Sequence, residues 1–171
     1  MNAMKEIRIE KLTLNIGAGK NPDVLKKGTK LFKNITGLEP VKTIAQKRIP
    51  TWGLRPGLPI GCKITLRKQQ AHELIPRLLD AKSKKLKSNN FDDNGNISFG
   101  IHEYIDVPGV KYDPEIGVIG FQVCLTLERN GFRVKRRRLS RAAIPHDHRI
   151  TKEEAVNYMK AKFNVDVGDE E

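Results

Sequence analysis

Two short segments contain residue types that could do chemistry, and the first is a glycine-rich turn. Gly17-Ala-Gly19-Lys20 follows a predicted strand and precedes a predicted helix, which is where phosphate-binding turns occur. Pro22 stands where a dinucleotide fingerprint needs its third glycine, and Leu14 stands where a P-loop needs its first. A nucleotide site is therefore disfavoured. A turn whose amides meet an RNA phosphate fits better, with a ligand-free turn as the alternative.

The second segment is a histidine pair, His146 and His148, in Pro-His-Asp-His. It lacks the Cys pair or further spaced ligands of a zinc site, so RNA contact or a solvated loop is favoured. Cys62 and Cys124 lie on predicted strands and are expected to be small buried hydrophobes. The sequence contains no Gly-x-Ser-x-Gly elbow. We therefore expect no enzyme, no metal site, no cofactor and no small-molecule substrate.

The basic charge is concentrated in two windows. The 171 residues carry 32 Lys+Arg against 20 Asp+Glu, a net charge of +12, and the pI is near 9.8. Windows 41–68 and 129–141 each hold seven basic residues and no acidic one, so together they exceed the whole net charge. Segment 89–115 and the acidic tail, 164–171, should face solvent or a basic protein neighbour. The acid-free windows indicate surfaces that neutralise phosphate, with solvated faces as the alternative.

A polyanionic partner can be RNA, DNA or an anionic membrane surface. No run of about 18 apolar residues exists, so no transmembrane helix is expected, and residues 1–11 do not resemble a signal peptide. A membrane-surface protein would need a basic amphipathic helix, whereas the basic windows lie on predicted strands and loops. Two cysteines fit a reducing cytoplasm. The composition predicts one soluble domain over 1–171.

Alternation and capping signals predict the elements that position these residues. The first strand shifts phase near Glu10 and Lys11, as at a bulge. Pro76 predicts a kink or a late start in the second helix. Asn130-Gly131 predicts a hairpin turn into a short basic strand at 132–136. The main predicted strands are 7–16, 41–46, 62–67, 97–105 and 119–128, and the predicted helices are 22–36, 69–82 and one that follows a Thr151/Glu154 capping box.

These elements predict an α+β fold: a single, mostly antiparallel sheet of about five strands, with helices packed on one side and long basic loops. In the third strand, Cys62, Ile64 and Leu66 alternate with Lys63, Thr65 and Arg67. One face should be core and the other a basic row, joined on the neighbouring strand by Lys42, Lys47 and Arg48. Such a sheet face suits a structured RNA.

Loop 50–61, with three prolines and three glycines, also carries Trp52. The indole could be exposed and stack on a nucleotide or pack on a partner, or it could fold back to close its own loop.

Five segments resemble the large-subunit ribosomal protein family called L five (L5), which binds 5S rRNA. They are KLTLNIGAG at 11–19, PVKTIAQKR at 40–48, LRPGLPIGCKITLR at 54–67, DNGNISFGIHE at 93–103 and YDPEIG at 112–117. The resemblance covers about residues 5–163. It implies a cytoplasmic, structural protein of the ribosome's central protuberance. Its partners would be 5S rRNA, large-subunit rRNA, P-site tRNA and, across an intersubunit bridge, the small-subunit protein S thirteen (S13).

The resemblance and the basic sheet face together suggest two sets of site residues. The candidate 5S rRNA-binding residues are Asn15, Gly17, Gly19, Lys20, Lys42, Thr43, Gln46, Lys47, Arg48, Lys63, Thr65 and Arg67. The loop that corresponds to the family's tRNA-proximal loop contains Thr51, Trp52, Gly53, Leu54 and Arg55.

The chain departs from the bacterial L5 pattern at 130–149, a basic insertion between the last long strand and the last helix. This resembles the archaeal or eukaryotic-type branch. The bacterial pattern offers no role for it, and its charge leads us to expect additional rRNA contact. The residues concerned are Arg133, Lys135, Arg136, Arg137, Arg138 and Arg141.

Overall fold

The structure is a computed structural model, and it describes residues 2–168. The strands are β1 (Ile7–Gly17), β2 (Val41–Ile44), β3 (Pro59–Leu66), β4 (Lys85–Lys87), β5 (Asn96–Ile101), β6 (Phe121–Arg129) and β7 (Asp166–Gly168). The helices are α1 (Pro22–Thr36), α2 (Lys68–Asp80), α3 (Arg133–Arg136) and α4 (Lys152–Phe163).

Five strands form one sheet in the order β2-β3-β1-β6-β5, and β4 pairs with β7 in a short parallel ladder. The predicted α+β class is confirmed. The chain divides into two compact units. Unit 1 takes its described residues from Met1–Leu12, Leu66–Phe99 and Cys124–Glu171, and unit 2 consists of Thr13–Thr65 and Gly100–Val123. The single domain over 1–171 stays a prediction.

Helix α1 packs on one face of the sheet within unit 2. It approaches closely at Gly28, where an added Cβ would lie 3.1 Å from the Cys62 Sγ and 3.3 Å from a methyl group of Ile16. Phe32 meets Phe121 edge to face, with 6.0 Å between ring centroids. Residues 16, 62 and 121 therefore all point toward α1.

The local sequence determines where α1 begins and ends. Pro22 occupies the first turn, where its missing N–H costs nothing. Asn21 stands at the N-cap position, but its side chain makes no capping hydrogen bond. Gly37 ends the helix at φ 72°, and its N–H donates to the Lys33 carbonyl at 2.8 Å.

At Gly61, β3 lies unusually close to the Ile16 backbone of β1 and to the Thr43 side chain of β2. A Cβ there would lie 2.5 Å from the Ile16 carbonyl oxygen and 2.9 Å from the Thr43 Oγ1. Because real Cβ atoms do not come this near to backbone, only glycine fits without a shift of β1.

The structure corrects one predicted strand and adds two short strands that the sequence did not predict. The fourth strand ends at Ile101, and Tyr104–Asp106 forms a 3₁₀ turn instead. The turn buries Tyr104, whose hydroxyl accepts the Asp113 N–H at 2.9 Å, and leaves Ile105 38% exposed. Strands β4 and β7 were not predicted at all, because strands of three residues show too little alternation to detect.

The hairpin predicted after β6 is also wrong. A type I′ turn needs positive φ at both central residues, but only Gly131 has it, at 94°. Phe132 is helical, with φ −61° and ψ −12°, and the chain continues into α3. Arg136 of α3 then forms ion pairs with Glu10, at 2.5 Å, and with Glu128.

A buried arginine holds α4 within unit 1. Arg129 is 4% exposed, and one of its terminal amino groups donates to Glu154 at 2.6 Å. The other donates to the Arg149 carbonyl at 3.1 Å. Glu154 also closes the predicted capping box with Thr151, which is confirmed.

We predict that Gly61→Ala lowers the free energy of unfolding by about 1–3 kcal/mol, because the methyl group would displace the Ile16 backbone. Chemical denaturation measures this. Gly100→Ala is the control: an added Cβ at Gly100 has no neighbour within 4 Å, so its effect should stay within about 0.5 kcal/mol. Equal effects would contradict the close approach.

We predict that Glu154→Gln destabilises the protein at neutral pH but not in acid. Burial alone would raise the pKa of Glu154, but hydrogen bonds from the Thr151 N–H and Arg129 outweigh it and lower this pKa. The charge therefore stabilises the fold above the ordinary glutamate pKa, and this contribution disappears as pH falls through the lowered value.

Glutamine keeps the capping box, so the expected loss at pH 7 is that of the ion pair, about 1 kcal/mol, since the carboxylate is 40% exposed. The matched control is Glu153→Gln, an exposed first-turn carboxylate on the same helix. Denaturation from pH 7 to pH 3 compares the two. A difference that persists in acid would refute the assignment.

Candidate nucleic-acid interface

The sheet in unit 2 has one face that α1 does not cover, which we call the open face. Side chains alternate along strands, so residues between those that point toward α1 lie on the opposite side. Asn15 of β1 donates from its amide to the Gln122 Oε1 of β6 at 3.2 Å, which joins two strands across this face. Among the described residues, the polar members of the open face are Thr13, Asn15, Thr43, Lys63, Thr65 and Gln122, and none is acidic.

The β2–β3 register divides the predicted basic sheet face. Residues directly opposite on antiparallel strands share a face. Val41 lies opposite Lys63, and Lys42 lies opposite Cys62, which points toward α1. Lys42 and Lys63 therefore occupy opposite faces of the sheet, and the prediction that they form one face is wrong. Lys42 remains exposed at the sheet edge.

The glycine-rich turn uses its own amides within the protein. The N–H groups of Ala18 and Gly19 both donate to the Ile60 carbonyl, at 2.9 and 3.0 Å, and the Asn21 N–H donates to Ala18. The expectation that this turn presents these amides to a phosphate is therefore wrong. Gly17 and Gly19 stay exposed, as does Lys20.

The proline-rich loop is a folded hairpin. Ile49 and Leu54 exchange backbone hydrogen bonds at 3.1 and 3.0 Å around a 3₁₀ turn at Pro50–Trp52. Gly53 has φ 66°, and the Lys20 side chain lies beside it, 3.7 Å from where a Cβ would stand. We call residues 49–54 the tip loop.

Two side chains of the tip loop differ sharply in exposure. Leu54 is 5% exposed and anchors the loop, whereas Trp52 is 68% exposed. Of the two alternatives for Trp52, the exposed indole is confirmed and the folded-back indole is wrong. Thr51, Gly53 and Arg55 are exposed as well.

The remaining cations of unit 2 around β2, β3 and the tip loop have no carboxylate partner among residues 2–168. Gln46, Lys47 and Arg48 are exposed and follow β2 directly. Within residues 2–168, no ion pair involves Lys20, Lys42, Lys47, Arg48, Arg55 or Lys63. Arg67 is exposed but belongs to unit 1, where it precedes α2.

The second basic window contains both structural and unpaired cations. Arg129 and Arg136 bind carboxylates of unit 1, as described above. The Arg137 side chain donates from its Nε to the Ser140 carbonyl at 2.8 Å. The other five cations of this window are exposed and form no ion pair with a described residue: Arg133, Lys135, Arg137, Arg138 and Arg141. Of the six residues predicted to contact additional rRNA, Arg136 is already bound to carboxylates of unit 1.

His148 and Cys62 both make contacts inside the protein. The His148 Nε2 donates to the Asn130 carbonyl at 2.8 Å, which ties down the insertion. Among residues 2–168, no three His, Cys, Asp or Glu side chains are grouped so as to hold a metal. Burial raises the pKa of the Cys62 thiol to about 11, against a hydrogen bond with Thr29 that lowers it, so the nucleophilic thiolate is scarce. Cys124 is half-buried.

The acidic segment of unit 2 contains one local ion-pair cluster. Lys30 of α1 bonds to Asp113, at 2.7 Å, and to Glu115. These hydrogen bonds raise the pKa of Lys30, and the Lys30 ammonium lowers the pKa of Asp113. Glu103 and Asp106 are exposed and form no ion pair with any described residue.

Over residues 2–168, the helices are too short or too polar to span a membrane.

Comparison with known proteins agrees with the motifs. Residues 2–55 match the family model described as ribosomal protein L5, and residues 59–158 match the model of the C-terminus of the same ribosomal family. The chain is 46% identical to a large ribosomal subunit protein uL5 from Sulfolobus acidocaldarius, over 97% of this chain and 93% of the relative. It is 47% identical to the uL5 of Nanoarchaeum equitans, over 96% and 97%.

A uL5 from Methanococcus maripaludis is 44% identical over 96% of this chain and 92% of its own length. All three relatives are archaeal, which agrees with the branch predicted from the 130–149 insertion. The two family models together match nearly the same part of the chain as the predicted resemblance. This chain belongs to the ribosomal protein L5 family, whose members are structural, non-enzymatic proteins.

Proposed function

We propose that this protein is a structural constituent of the large ribosomal subunit and binds 5S rRNA through the open face of unit 2. One observation carries the proposal: in a chain of a ribosomal protein family, an uncovered sheet face has amides, hydroxyls and a lysine but, among its described residues, no carboxylate. A carboxylate-free polar face can approach phosphate without electrostatic repulsion.

Two kinds of contact would operate on this face. Lys63, with Lys20, Lys47 and Arg48 on adjoining loops, neutralises phosphates and orients the RNA. Asn15, held by Gln122, supplies an amide that can bond a ribose hydroxyl or a base edge. The remaining candidate residues, Gly17, Gly19, Lys42, Thr43, Gln46, Thr65 and Arg67, border these groups in sequence or register.

We predict that the double variant Lys47→Gln/Lys63→Gln weakens binding to 5S rRNA at least about tenfold, at roughly 1 kcal/mol per lost phosphate contact. The slope of log affinity against log salt should also become shallower by about 0.7–0.9 per contact. A filter-binding titration at several salt concentrations measures both.

The matched control is Lys26→Gln/Lys27→Gln, which removes the same charge from exposed positions of α1, on the covered side of the sheet. It should change the affinity about threefold or less, through long-range electrostatics alone. An equal loss in both double variants would show that the RNA does not bind the open face.

We also propose that the tip loop contacts P-site tRNA in the ribosome. Backbone hydrogen bonds and the buried Leu54 hold the loop in place. The Trp52 indole itself is exposed, so a partner can reach the ring. An exposed aromatic ring of this kind can stack on a nucleotide.

We predict that Trp52→Ala leaves affinity for isolated 5S rRNA within about twofold, and that it weakens P-site tRNA binding to ribosomes assembled with the variant by roughly fivefold, the lower end of a stacking contact. Circular dichroism should not change, because the ring is exposed. Leu54→Ala is the comparison: it removes the anchor and should lower thermal stability. A loss of 5S affinity in Trp52→Ala would move the tip loop to the 5S interface.

Two further contacts complete the proposal. The exposed carboxylates Glu103 and Asp106 suit a basic protein neighbour, and the family resemblance suggests S13 for that role. The unpaired cations of the 130–149 insertion suit large-subunit rRNA.

A further inference from the structure

The 130–149 insertion encloses one side of a groove within unit 1. Its volume is about 590 Å³, within the range of about 300–1,000 Å³ typical of small-ligand pockets. The groove is lined by Asn94, Phe132, Lys135, Arg141, Ala142, Ala143, Ile144, Arg149 and Ile150. We call it the insertion groove.

The groove has an apolar side with an aromatic ring. Ile144 and Ile150 line it and are buried, at 9% and 1% exposed, so they form the apolar base of the groove and not an exposed patch. Phe132 is half-buried and is held edge to face against His148, with 5.7 Å between ring centroids. An apolar wall with an immobilised ring is the kind of surface on which a flat base packs.

The polar side is positively charged. Lys135, Arg141 and Arg149 line it, and none of them forms an ion pair with a described residue. Arg149 uses its Nε to reach the Ile144 carbonyl at 3.4 Å.

None of the described lining residues is acidic. Asp92 and Asp93 precede Asn94 in the chain without lining the groove. The Asp92 carboxylate is engaged by the Asn94 N–H and, at 2.8 Å, by the Asn96 amide. The groove therefore offers positive charge without a carboxylate to compete for it.

The walls are fixed by contacts inside unit 1. The Ala142 N–H donates to the Val134 carbonyl at 3.3 Å, which closes the insertion on itself. Arg129 binds the Arg149 carbonyl at 3.1 Å. On the other side Gly95 lies so close to Ile150 that an added Cβ would be 2.7 Å from its Cγ2. A preformed groove loses less entropy on binding than a flexible loop would.

We propose that the insertion groove binds one unstacked nucleotide of a single-stranded rRNA segment. The base packs against Phe132 and the isoleucines, the flanking phosphates bind Lys135, Arg141 and Arg149, and the Asn94 amide faces the base edge. This proposal depends on one part of the proposed function, namely that the protein binds rRNA. Single-stranded rather than duplex RNA is favoured, because only an unstacked base can occupy an apolar pocket.

The test uses the full-length protein and a fluorescently labelled, single-stranded RNA hexamer of mixed sequence. Anisotropy titrations compare two double variants of equal charge. Lys135→Gln/Arg141→Gln removes cations that line the groove, and Lys160→Gln/Lys162→Gln removes exposed cations in the last turn of α4, which do not line it and which we assign to no RNA contact. We expect about a tenfold loss for the first pair and about threefold or less for the second.

A third variant, Phe132→Leu, keeps an apolar side chain and removes the ring. We expect about a fivefold loss of hexamer affinity with unchanged circular dichroism. If it fails to fold, the two charge variants still decide the question. A duplex of the same length should bind the wild type more weakly than the hexamer and should lose equal affinity in both double variants.

Equal losses of hexamer affinity in the two double variants would overturn the proposal. Tight binding of a hexaglutamate peptide would also overturn it, if the peptide binds as tightly as the RNA hexamer and loses affinity in Lys135→Gln/Arg141→Gln. That result would show that the groove binds an acidic protein segment. The 5S titrations of Lys47→Gln/Lys63→Gln, run in parallel, separate the two hypotheses: if that effect persists while the groove effect is absent, only the groove proposal fails.

Discussion

The packing of α1 against one face of the sheet determines where the polar residues of unit 2 can lie. Gly28 lets the helix reach the Cys62 thiol, and Gly61 lets β3 approach the Ile16 backbone. Since strands alternate sides, every buried residue under α1 leaves a neighbour on the opposite face. That face is left uncovered by α1, and its described residues include no carboxylate, so the same contacts that build the core also create the proposed RNA surface.

Positive charge in this protein serves two different physical purposes. Arg129 and Arg136 bind carboxylates of unit 1, where they hold α4 and α3, and Arg129 is almost fully buried. A buried arginine that loses its partner leaves an uncompensated charge, so such residues are constrained by folding. Arg138 and Arg141, from the same run of sequence, are exposed and unpaired within the described residues, which leaves them available to a polyanion.

Strong local patterns were predictable. The phase change in β1 is confirmed by the burial of Ile9 and Leu12 on either side of half-buried Glu10 and Lys11. The register of β2 was not predictable, because its four residues are mostly exposed on both sides and no hydrophobic face specifies the pairing. The hairpin predicted at Asn130-Gly131 is wrong because only Gly131 adopts the positive φ that the turn needs, and the chain continues into α3, where Arg136 binds Glu10, a residue far from it in sequence.

The sequence by itself determined the family and the two acid-free windows. It also determined the ends of α1 at Pro22 and Gly37 and the absence of a nucleotide fingerprint. Each of these features depends on residues that are neighbours in the chain. Only the tertiary structure decided that Lys42 and Lys63 lie on opposite faces and that the Ala18 and Gly19 amides are already used. Strand register and long-range hydrogen bonds join residues far apart in the chain, and composition and periodicity do not specify which partners meet.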